Sequence, residues 1–375
     1  MSAAIPIYSG NDMYVPTFKV RVRQQDVPAA VLRDIVSVTY KDSLTEFDSV
    51  DLTLNNWDDS RTGLPTQFTY LVDDQAPYAD LFTFDRSKVV EVQLGYEGVN
   101  VVTVLSGTVE SAEPHYPAGG APSLTVRIIN PLKSLKDQQH TKTYLDKSTE
   151  DIARDIANDH NLDIVVEDHP EDDDQPQPYV FQENQFDIVF LMQRARRMGY
   201  DVWLEGTNEL HLGPAAGASS NTVYKLGFHR SLIDFSPRLT MNQQVGSVKV
   251  TAYNQLDKTT FVGTASRDEV GINDDLEGFV TDEIRDKVKT VTNQPLHANG
   301  QAKQLAREIM RNIMQTMLTA SVTAPGLPDI RAGRKVEITD VGSRFSGPYL
   351  VTASTHTIDD SGYRTSFTAR REKTS

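Results

Sequence analysis

Apolar and polar residues alternate one by one along most of the first 140 residues. The alternation is clearest in the stretches 50–54 and 90–94. A period of two sends successive side chains to opposite faces of a strand, so these stretches predict β-strands with one buried face. Turn residues such as Gly95 and the run 117–120 separate them. Because strand patterns follow one another without a helical period, we predict a β-barrel or sandwich and not an alternating βαβ fold.

The middle of the chain has a helical period. Ser148 is followed by acidic residues, which predicts the N-terminus of a short helix. A second helix is predicted over about 185–198, with Gly199 as its C-terminal cap. Strand patterns follow between 200 and 212. We therefore predict a small α/β insert domain over residues 141–213.

Strand patterns resume after residue 214, and one long amphipathic helix interrupts them at about 300–319. Its apolar residues recur at the spacing of one helix face. They are Ala302, Leu305, Ala306, Ile309, Ile313, Met314 and Met317. Such a face packs on a sheet of the same chain or on a neighbouring chain, and both alternatives stay open. The predicted fold class is mainly β, with two similar β-barrel-like domains over 1–140 and 214–375 that flank the α/β insert.

The two ends of the chain repeat one order of strands. In the first half the pattern occupies 87–92, 105–109 and 123–127, and in the second half 334–338, 347–351 and 366–370. Glu91 and Arg127 lie 36 positions apart, and Glu337 and Arg370 lie 33 apart. Unrelated three-stranded meanders also resemble one another, so duplication of one β-domain is a hypothesis.

Size and composition indicate a globular protein. The 375 residues exceed the ~250–300 at which one hydrophobic core stops growing, so two or three domains are expected. No stretch approaches the ~20 consecutive apolar residues of a membrane-spanning helix, and the N-terminus lacks a secretory signal pattern. The absence of cysteine excludes disulfides, thiolate metal sites and thiol nucleophiles.

Charge and motifs argue against several activities. The net charge of −15 is opposite to that of a general nucleic-acid binder. Neither a phosphate-binding loop nor a nucleophile elbow is present, and the eight histidines lack metal-ligand spacing. We therefore expect no catalytic residues, cofactor or metal. The acidic runs 172–174 and 274–275 are interpreted as solvated loops, with a Ca²⁺ site as the alternative.

The most specific pattern lies between residues 326 and 371. Its residues are Gly333, Val336, Ile338, Phe345, Gly347, Tyr349, Val351, His356, Gly362, Tyr363, Thr365, Phe367 and Arg370. The glycines allow turns where a Cβ would clash, and the alternating apolar residues share one sheet face. An isolated histidine such as His356 is more often packed in a fold than catalytic. The pattern resembles the phage late control protein D family, whose relatives include the hub parts of VgrG and of extracellular contractile injection systems.

The resemblance implies a structural baseplate hub and not an enzyme. Members form homotrimers whose paired β-domains lie between the hexameric inner tube and the spike. Because the chain ends at Ser375, soon after the last predicted strand, we expect a separate spike protein. Further expected partners are other baseplate proteins and a cargo or tape-measure protein in the lumen, with no membrane and no specific nucleic acid. Assembly is expected in the bacterial cytoplasm, and the product is a phage tail or an extracellular contractile particle.

Two other functions are alternatives to the hub. A tail-associated hydrolase of cell-wall polysaccharide would need a cleft that holds two carboxylates with perturbed pKa values. A receptor-binding tail protein would need clustered exposed aromatic residues, whereas Trp57 and Trp203 lie in different regions.

Overall fold

The computed structural model describes residues 5–6, 15–44, 46–61, 67–85, 87–98, 101–167, 174–198, 200–205, 209–214, 222–254, 258–272, 274–292 and 299–371. The strands of the first part are β1 (Ile5–Pro6), β2 (Pro16–Val22), β3 (Gln25–Asp26), β4 (Ile35–Ser43), β5 (Ser49–Asn55), β6 (Val90–Tyr96), β7 (Val102–His115), β8 (Ser123–Ile129), β9 (Gln139–Tyr144), β10 (Asp163–Val166), β11 (Val180–Phe186), β12 (Tyr200–Glu205) and β13 (Glu209–Pro214). Those of the second part are β14 (Thr222–Gly227), β15 (Asp234–Leu239), β16 (Ser247–Asn254), β17 (Thr259–Ser266), β18 (Val288–Thr292), β19 (Leu318–Pro325), β20 (Lys335–Thr339), β21 (Gly347–Asp359) and β22 (Gly362–Arg371). The helices are α1 (Ala29–Asp34), α2 (Thr149–Asp159), α3 (Asp187–Arg197), α4 (Arg267–Val270), α5 (Asp282–Arg285) and α6 (Asn299–Gln315), with 3₁₀ turns at Asp59–Arg61, Pro131–Lys136 and Asp274–Phe279.

The fold is mainly β, as the alternating pattern predicts. Every second side chain of β5 is buried, and β22 alternates in the same way along ten residues. Among the described residues, fourteen strands join one large sheet. The predicted fold class is therefore confirmed.

Six strands of the N-terminal region form what we call the first unit. They lie side by side in the order β4-β5-β8-β7-β6-β2, and each neighbouring pair is antiparallel. Their inward side chains form one core with aromatic residues from the long loop between β5 and β6, among them Tyr70 and Phe82. The other face of the strands carries polar side chains.

Six strands of the C-terminal region form the second unit. They lie in the order β15-β19-β22-β21-β20-β14 around a separate core. All pairs are antiparallel except β14 with β20, which is parallel. When the strands of each unit are numbered along the chain, both units have the same spatial order, 2-3-6-5-4-1.

The register of the two units also agrees. Glu91 of β6 lies opposite Ser106 of β7, and Glu337 of β20 lies opposite Pro348 of β21. Four residues further on, each long strand has a bulge towards the next strand, at Glu110 in β7 and at Thr352 in β21. The sequence repeat therefore corresponds to a repeated geometry. Its third strand is offset from the expected alignment, because Arg127 follows the first bulge where Thr368, and not Arg370, follows the second.

The two units are joined edge to edge. The second half of β21, from Ala353 to Ile358, pairs with β4 of the first unit. The bulge at Thr352 marks the point where β21 leaves β20 and meets β4. One strand therefore crosses from one unit to the other, which makes the sheet continuous.

The region between the units is an α/β element, as the helical period predicts. The strand order β10-β13-β12 forms one small sheet and β9 pairs with β11 in a two-stranded ribbon, while α2 and α3 share a third core with them. Helix α2 begins with a capping box in which Ser148 and Asp151 exchange hydrogen bonds between side chain and backbone. The predicted cap Gly199 lies outside the described residues.

A second insertion separates strands two and three of the second unit. The sheet β17-β16-β18 is covered on one face by α6, whose Ala302, Ala306, Met310 and Met314 are buried against it. The apolar face of the helix therefore packs within the chain. The predicted end at residue 319 was wrong, because the helix ends at Gln315 and β19 begins at Leu318.

Candidate functional site

The contact between β4 and β21 encloses a cluster of polar side chains, which we call the joint cluster. It consists of Tyr40, Asp42, Asp48, Arg331, Ser354, His356, Tyr363 and Thr365. The first three belong to the first unit or to the loop after β4, and the others belong to the second unit. Polar groups that are buried between two apolar cores must find partners within the protein.

His356 lies at the centre of the joint cluster and is fully buried. Its Nε2 lies 2.9 Å from the carbonyl oxygen of Ile330, which only accepts hydrogen bonds, so Nε2 carries the proton and donates. Its Nδ1 then accepts a hydrogen bond, and the hydroxyl groups of Tyr363 and Thr365 lie 3.0 and 3.1 Å away. Burial lowers the pKa of His356 to about 4, so the ring is neutral at pH 7.

Asp42 ties both units together through main-chain donors. Its carboxylate accepts the N–H groups of Ala332, at 2.8 Å, and of Ser354, at 3.1 Å. The Ser354 hydroxyl also donates to it. Both donors belong to the second unit, whereas Asp42 belongs to β4, so this buried carboxylate fixes the register of the contact.

Arg331 supplies the positive charge of the joint cluster. Its Nη2 donates to the Tyr40 hydroxyl at 2.5 Å and lies 3.5 Å from Asp48 Oδ2, while its Nε lies 3.7 Å from Asp42 Oδ2. Burial and the nearby charge of Asp42 raise the pKa of Asp48 to about 7 despite the arginine. One guanidinium thus faces two carboxylates.

A second contact between the units lies next to the joint cluster. The Tyr96 hydroxyl of β6 donates to the carbonyl oxygen of Gly326 at 3.0 Å. A Cβ at position 326 would lie 2.0 Å from the Tyr363 ring, so this position accepts only glycine without a shift of that ring. The ring centroids of Tyr96 and Tyr363 are 5.7 Å apart, which completes the packing.

The structure brings together only some of the residues of the predicted C-terminal motif. Val336, Ile338, Tyr349, Val351 and Phe367 are buried on one face in the core of the second unit. Phe345 packs at the edge of the same core, and its carbonyl oxygen accepts the Tyr349 hydroxyl at 2.8 Å.

The remaining motif residues divide between turns, the joint and the opposite sheet face. Gly333, Gly347 and Gly362 have φ values of 84°, 138° and 109°, which favour glycine. His356, Tyr363 and Thr365 lie in the joint cluster. Arg370 is half-buried on the other face, where it lines a cleft of about 520 Å³ with Arg196, Arg311 and others.

Asp42 and Arg331 are not among the site residues that the sequence predicted. Val38, Tyr40 and Asp42 all lie on the buried face of β4, so a charged residue at an apolar position of the alternation was the available signal for Asp42. Arg331 follows a turn and has no comparable signal in the sequence.

The joint cluster holds the two units together through hydrogen bonds between their residues. The cavity beside Asp42, Asp48 and Arg331 has a volume of about 80 Å³, room for several water molecules. The Asp42 carboxylate is already occupied by backbone donors.

A second cluster of titratable groups lies in the α/β insert. His140 Nδ1 and His160 Nε2 each lie 2.9 Å from the same oxygen of Asp187, and Gln182 donates to the other oxygen at 2.6 Å. Burial alone would raise the pKa of Asp187, but these hydrogen bonds hold it below its ordinary value. A general acid for glycoside hydrolysis needs a raised pKa, so this cleft does not meet the requirement.

The acidic runs give no cation site in the described part of the chain. Asp174 instead accepts the N–H groups of Thr149 and Glu150, at 2.7 and 2.8 Å, at the start of α2. Residues 172–173 and the side chains of Asp274 and Asp275 lie outside the described residues. Within the described ranges no group of three or more His, Asp or Glu side chains is placed to hold a metal ion. None of the helices described above has the length and apolarity that crossing a bilayer requires.

Comparison with solved structures defines the class of fold. The 43 kDa tail protein of prophage MuSo2 from Shewanella oneidensis has a TM-score of 0.69 at 13% identity, over 95% of this chain and 98% of that chain. The tail protein from Neisseria meningitidis MC58 gives 0.69 at 13% identity, over 96% and 97%. An Escherichia coli component of the type VI secretion system, described as similar in structure to T4 tail proteins gp27 and gp5, gives 0.56 at 11% identity, over 95% and 77%. The chain has the fold of phage tail proteins.

The family model described as Alg8 N-terminal domain matches residues 74–360. The chain belongs to this family. The matching model is not that of the late control protein D family, so that closer resemblance stays a prediction. No curated protein matches the sequence.

Proposed function

We propose that this protein is the structural baseplate hub of a contractile phage tail or contractile injection system. In this role a homotrimer adapts the hexameric inner tube to a trimeric spike. The division into two tube-like domains over 1–140 and 214–375, with an insert over 141–213, belongs to the same proposal. The expected partners are the tube protein, a separate spike protein, other baseplate proteins and a cargo or tape-measure protein in the lumen.

The observation that carries the proposal is the shared strand order of the two units. Each unit has the order 2-3-6-5-4-1, and β4 and β21 fuse the two units into one sheet. Three copies of such a chain supply six similar units, which a sixfold partner can contact at equivalent positions. A spike with threefold symmetry contacts the same assembly once per chain.

The open face of the sheet is suited to line a passage. Hydroxyl groups of neighbouring strands approach one another there, as in Thr53 with Thr125 at 3.5 Å and Thr323 with Ser366 at 3.4 Å. Asp51 holds Arg127 in a bidentate pair at 2.7 and 3.0 Å. Polar groups that already bind one another on this sheet face offer few free hydrogen-bond partners to a protein that moves through the passage.

The oligomeric state tests this proposal. Size-exclusion chromatography with light scattering on the purified chain should give three times its mass of 41.8 kDa, and averaged electron micrographs should show a ring with six lobes and a threefold axis. A chain that stays monomeric, or a ring without a threefold axis, would exclude the hub. No observation on the two clefts with acidic residues favours the alternative, a hydrolase of cell-wall polysaccharide.

A further inference from the structure

The contact between β4 and β21 shows how strand two of one unit docks on strand five of the other. The N–H of Leu44 donates to the carbonyl oxygen of Thr352 at 3.0 Å. In the same register, Tyr40 lies opposite His356 and Lys41 lies opposite Thr355. Hydrogen-bonded and non-hydrogen-bonded pairs alternate in an antiparallel ladder. Tyr40 and His356 are therefore at a hydrogen-bonded position, and Lys41 and Thr355 are not.

The reciprocal strands have no such partner within the described residues. The second half of β7, Thr108–His115, pairs with β8 on one edge, while β6 pairs only with the first half. Strand β15 pairs with β19 on one edge, and no strand of the described chain lies on the other. Strand five of the first unit and strand two of the second unit therefore each have an open edge.

The common register states which residues of these edges correspond. Counting from the bulges at Glu110 and Thr352, Glu113 occupies the position of Thr355. Counting across the ladders from Arg127 and Thr368, Arg238 occupies the position of Lys41. Lys41 and Thr355 are opposite each other inside the chain.

We propose that the open half of β7 docks on β15 of a second copy of this chain, so that the contact between chains repeats the contact inside the chain. Glu113 then lies opposite Arg238 of the second copy. The proposal rests on the proposed trimer and deepens it by naming the surfaces. Three such head-to-tail contacts close a ring of six units, because contacts inside and between chains alternate.

The chemistry of the two edges is complementary. Glu113 and Arg238 are both exposed and carry opposite charges at the matched position. Three residues beyond, Tyr116 is 56% exposed and comes to lie opposite Phe235, in the positions of Ile358 and Val38. The latter two are buried in the intrachain contact. A salt bridge and an apolar pair therefore form together only when two copies meet.

Proline occupies the hydrogen-bonded position of both open edges. Pro114 corresponds to His356, and Pro237 corresponds to Tyr40. Neither has an N–H, so this pair adds no ladder hydrogen bonds and leaves no donor unsatisfied. An edge proline also protects a free strand from indiscriminate pairing. The contact between chains is therefore weaker per strand than the contact inside the chain.

Cysteine pairs test the placement directly, because the chain contains no cysteine. Opposed residues at a non-hydrogen-bonded position lie within the Cα separation that a disulfide accepts. The double variant Glu113→Cys with Arg238→Cys should give covalent dimers and trimers under mild oxidation, whereas each single variant should not. The matched control, Lys41→Cys with Thr355→Cys, should close a loop within one chain and leave the mass unchanged.

A charge exchange tests the energetics. Glu113→Arg and Arg238→Glu should each raise the concentration at which half the trimer dissociates by about tenfold, since an exposed pair contributes up to about 1 kcal/mol at each of the three contacts and this concentration scales with the square root of the trimer dissociation constant. The double exchange should return it to within about twofold of the natural chain. Glu183→Arg makes the same change of charge on the exposed face of β11 and should have no effect.

The outcomes separate this inference from the proposed function. A trimer that forms no disulfide between chains through positions 113 and 238, or is insensitive to both charge reversals, overturns the edge contact and leaves the hub intact. A chain that is monomeric throughout overturns both. Covalent trimers together with recovery in the double exchange support both.

Discussion

The pair of His356 and Asp42 shows how much depends on single side chains at the joint. His356 donates a hydrogen bond to the carbonyl oxygen of Ile330 and accepts one from a hydroxyl group. Asp42 accepts hydrogen bonds from two backbone N–H groups. Loss of one side chain therefore leaves buried polar atoms of its neighbours without partners.

His356→Ala should lower the free energy of unfolding by about 3 kcal/mol, because it leaves a cavity as well as the unpaired Ile330 carbonyl. Urea unfolding monitored by circular dichroism measures this change. Thr357→Ala, one residue further along the same strand and on the opposite face, should cost less than about 1 kcal/mol. Equal midpoints for the two variants would contradict the role of His356.

Acid should destabilise the fold through His356. Its pKa is about 4 when folded and ~6.5 in the unfolded chain. Between these values the unfolded chain binds the extra proton, so stability is present above pH ~6.5 and is lost as the pH falls towards 4. This difference in pKa corresponds to at most about 3 kcal/mol of unfolding free energy. The slope of unfolding free energy against pH, compared between the natural chain and His356→Gln, measures it.

Asp48 acts in the opposite direction over nearly the same range. Its pKa of about 7 exceeds the ordinary value of 3.8, so its contribution is fully present below 3.8 and is lost as the pH rises through 7. The two residues therefore partly cancel. Asp48→Asn should raise stability at pH 8 by about 2 kcal/mol and expose the full acid sensitivity of His356. A variant with the pH profile of the natural chain would show that Asp48 is ionised at pH 5.

At the scale of elements, the contact between α6 and β17 depends on a missing side chain. A Cβ at Gly263 would lie 2.1 Å from the carbonyl carbon of Ala302 in the helix backbone. Gly263→Ala should therefore separate the helix from its sheet and cost about 2 kcal/mol. Gly278→Ala is the control, since nothing lies within 4 Å of its added Cβ. The midpoints of urea unfolding of the two variants measure this difference. Equal midpoints would mean that the helix moves away from the sheet at no cost in the free energy of unfolding.

The alternation of apolar and polar residues predicted the strands but not which strands pair with each other. A period of two identifies a half-buried strand such as β5 from local sequence alone. The order 2-3-6-5-4-1 depends on contacts between residues far apart in the sequence, such as Asp51 with Arg127 and Lys225 with Glu337, for which no local pattern exists. The repeated glutamates Glu91 and Glu337 correctly marked equivalent strands because both lie between buried residues on short strands.

The joint cluster was predictable only in part. The motif contained His356, Tyr363 and Thr365, but their partner Asp42 lies 312 positions before Ser354. The end of the long helix was placed too late because Met317 continues the apolar period of α6. The alternation of β19, in which Leu318, Ala320 and Val322 are buried, begins directly afterwards and was the better signal.

At the scale of the whole molecule, charge acts against assembly. Each chain has a net charge of −15, so three chains repel one another at low salt. Screening shortens the range of this repulsion from about 30 Å at 0.01 M salt to about 10 Å at 0.1 M. The proposed pair of Glu113 with Arg238 of a second copy contributes at most about 1 kcal/mol. We therefore expect the proposed trimer to become more stable as salt rises, as measured by analytical ultracentrifugation; dissociation by salt would mean that ion pairs dominate the interface.

The insertion of β16–β18 and α6 occurs in one unit of each chain and not in the other. The first unit passes from strand two to strand three through a short turn between β4 and β5, whereas the second makes an excursion of about eighty residues at the same place. In a closed ring of three chains, units with the insertion and units without it would alternate around the circumference. A partner with sixfold symmetry would then meet two kinds of contact surface. A partner with threefold symmetry would contact the three insertions at equivalent positions, which would fix its rotation relative to the ring.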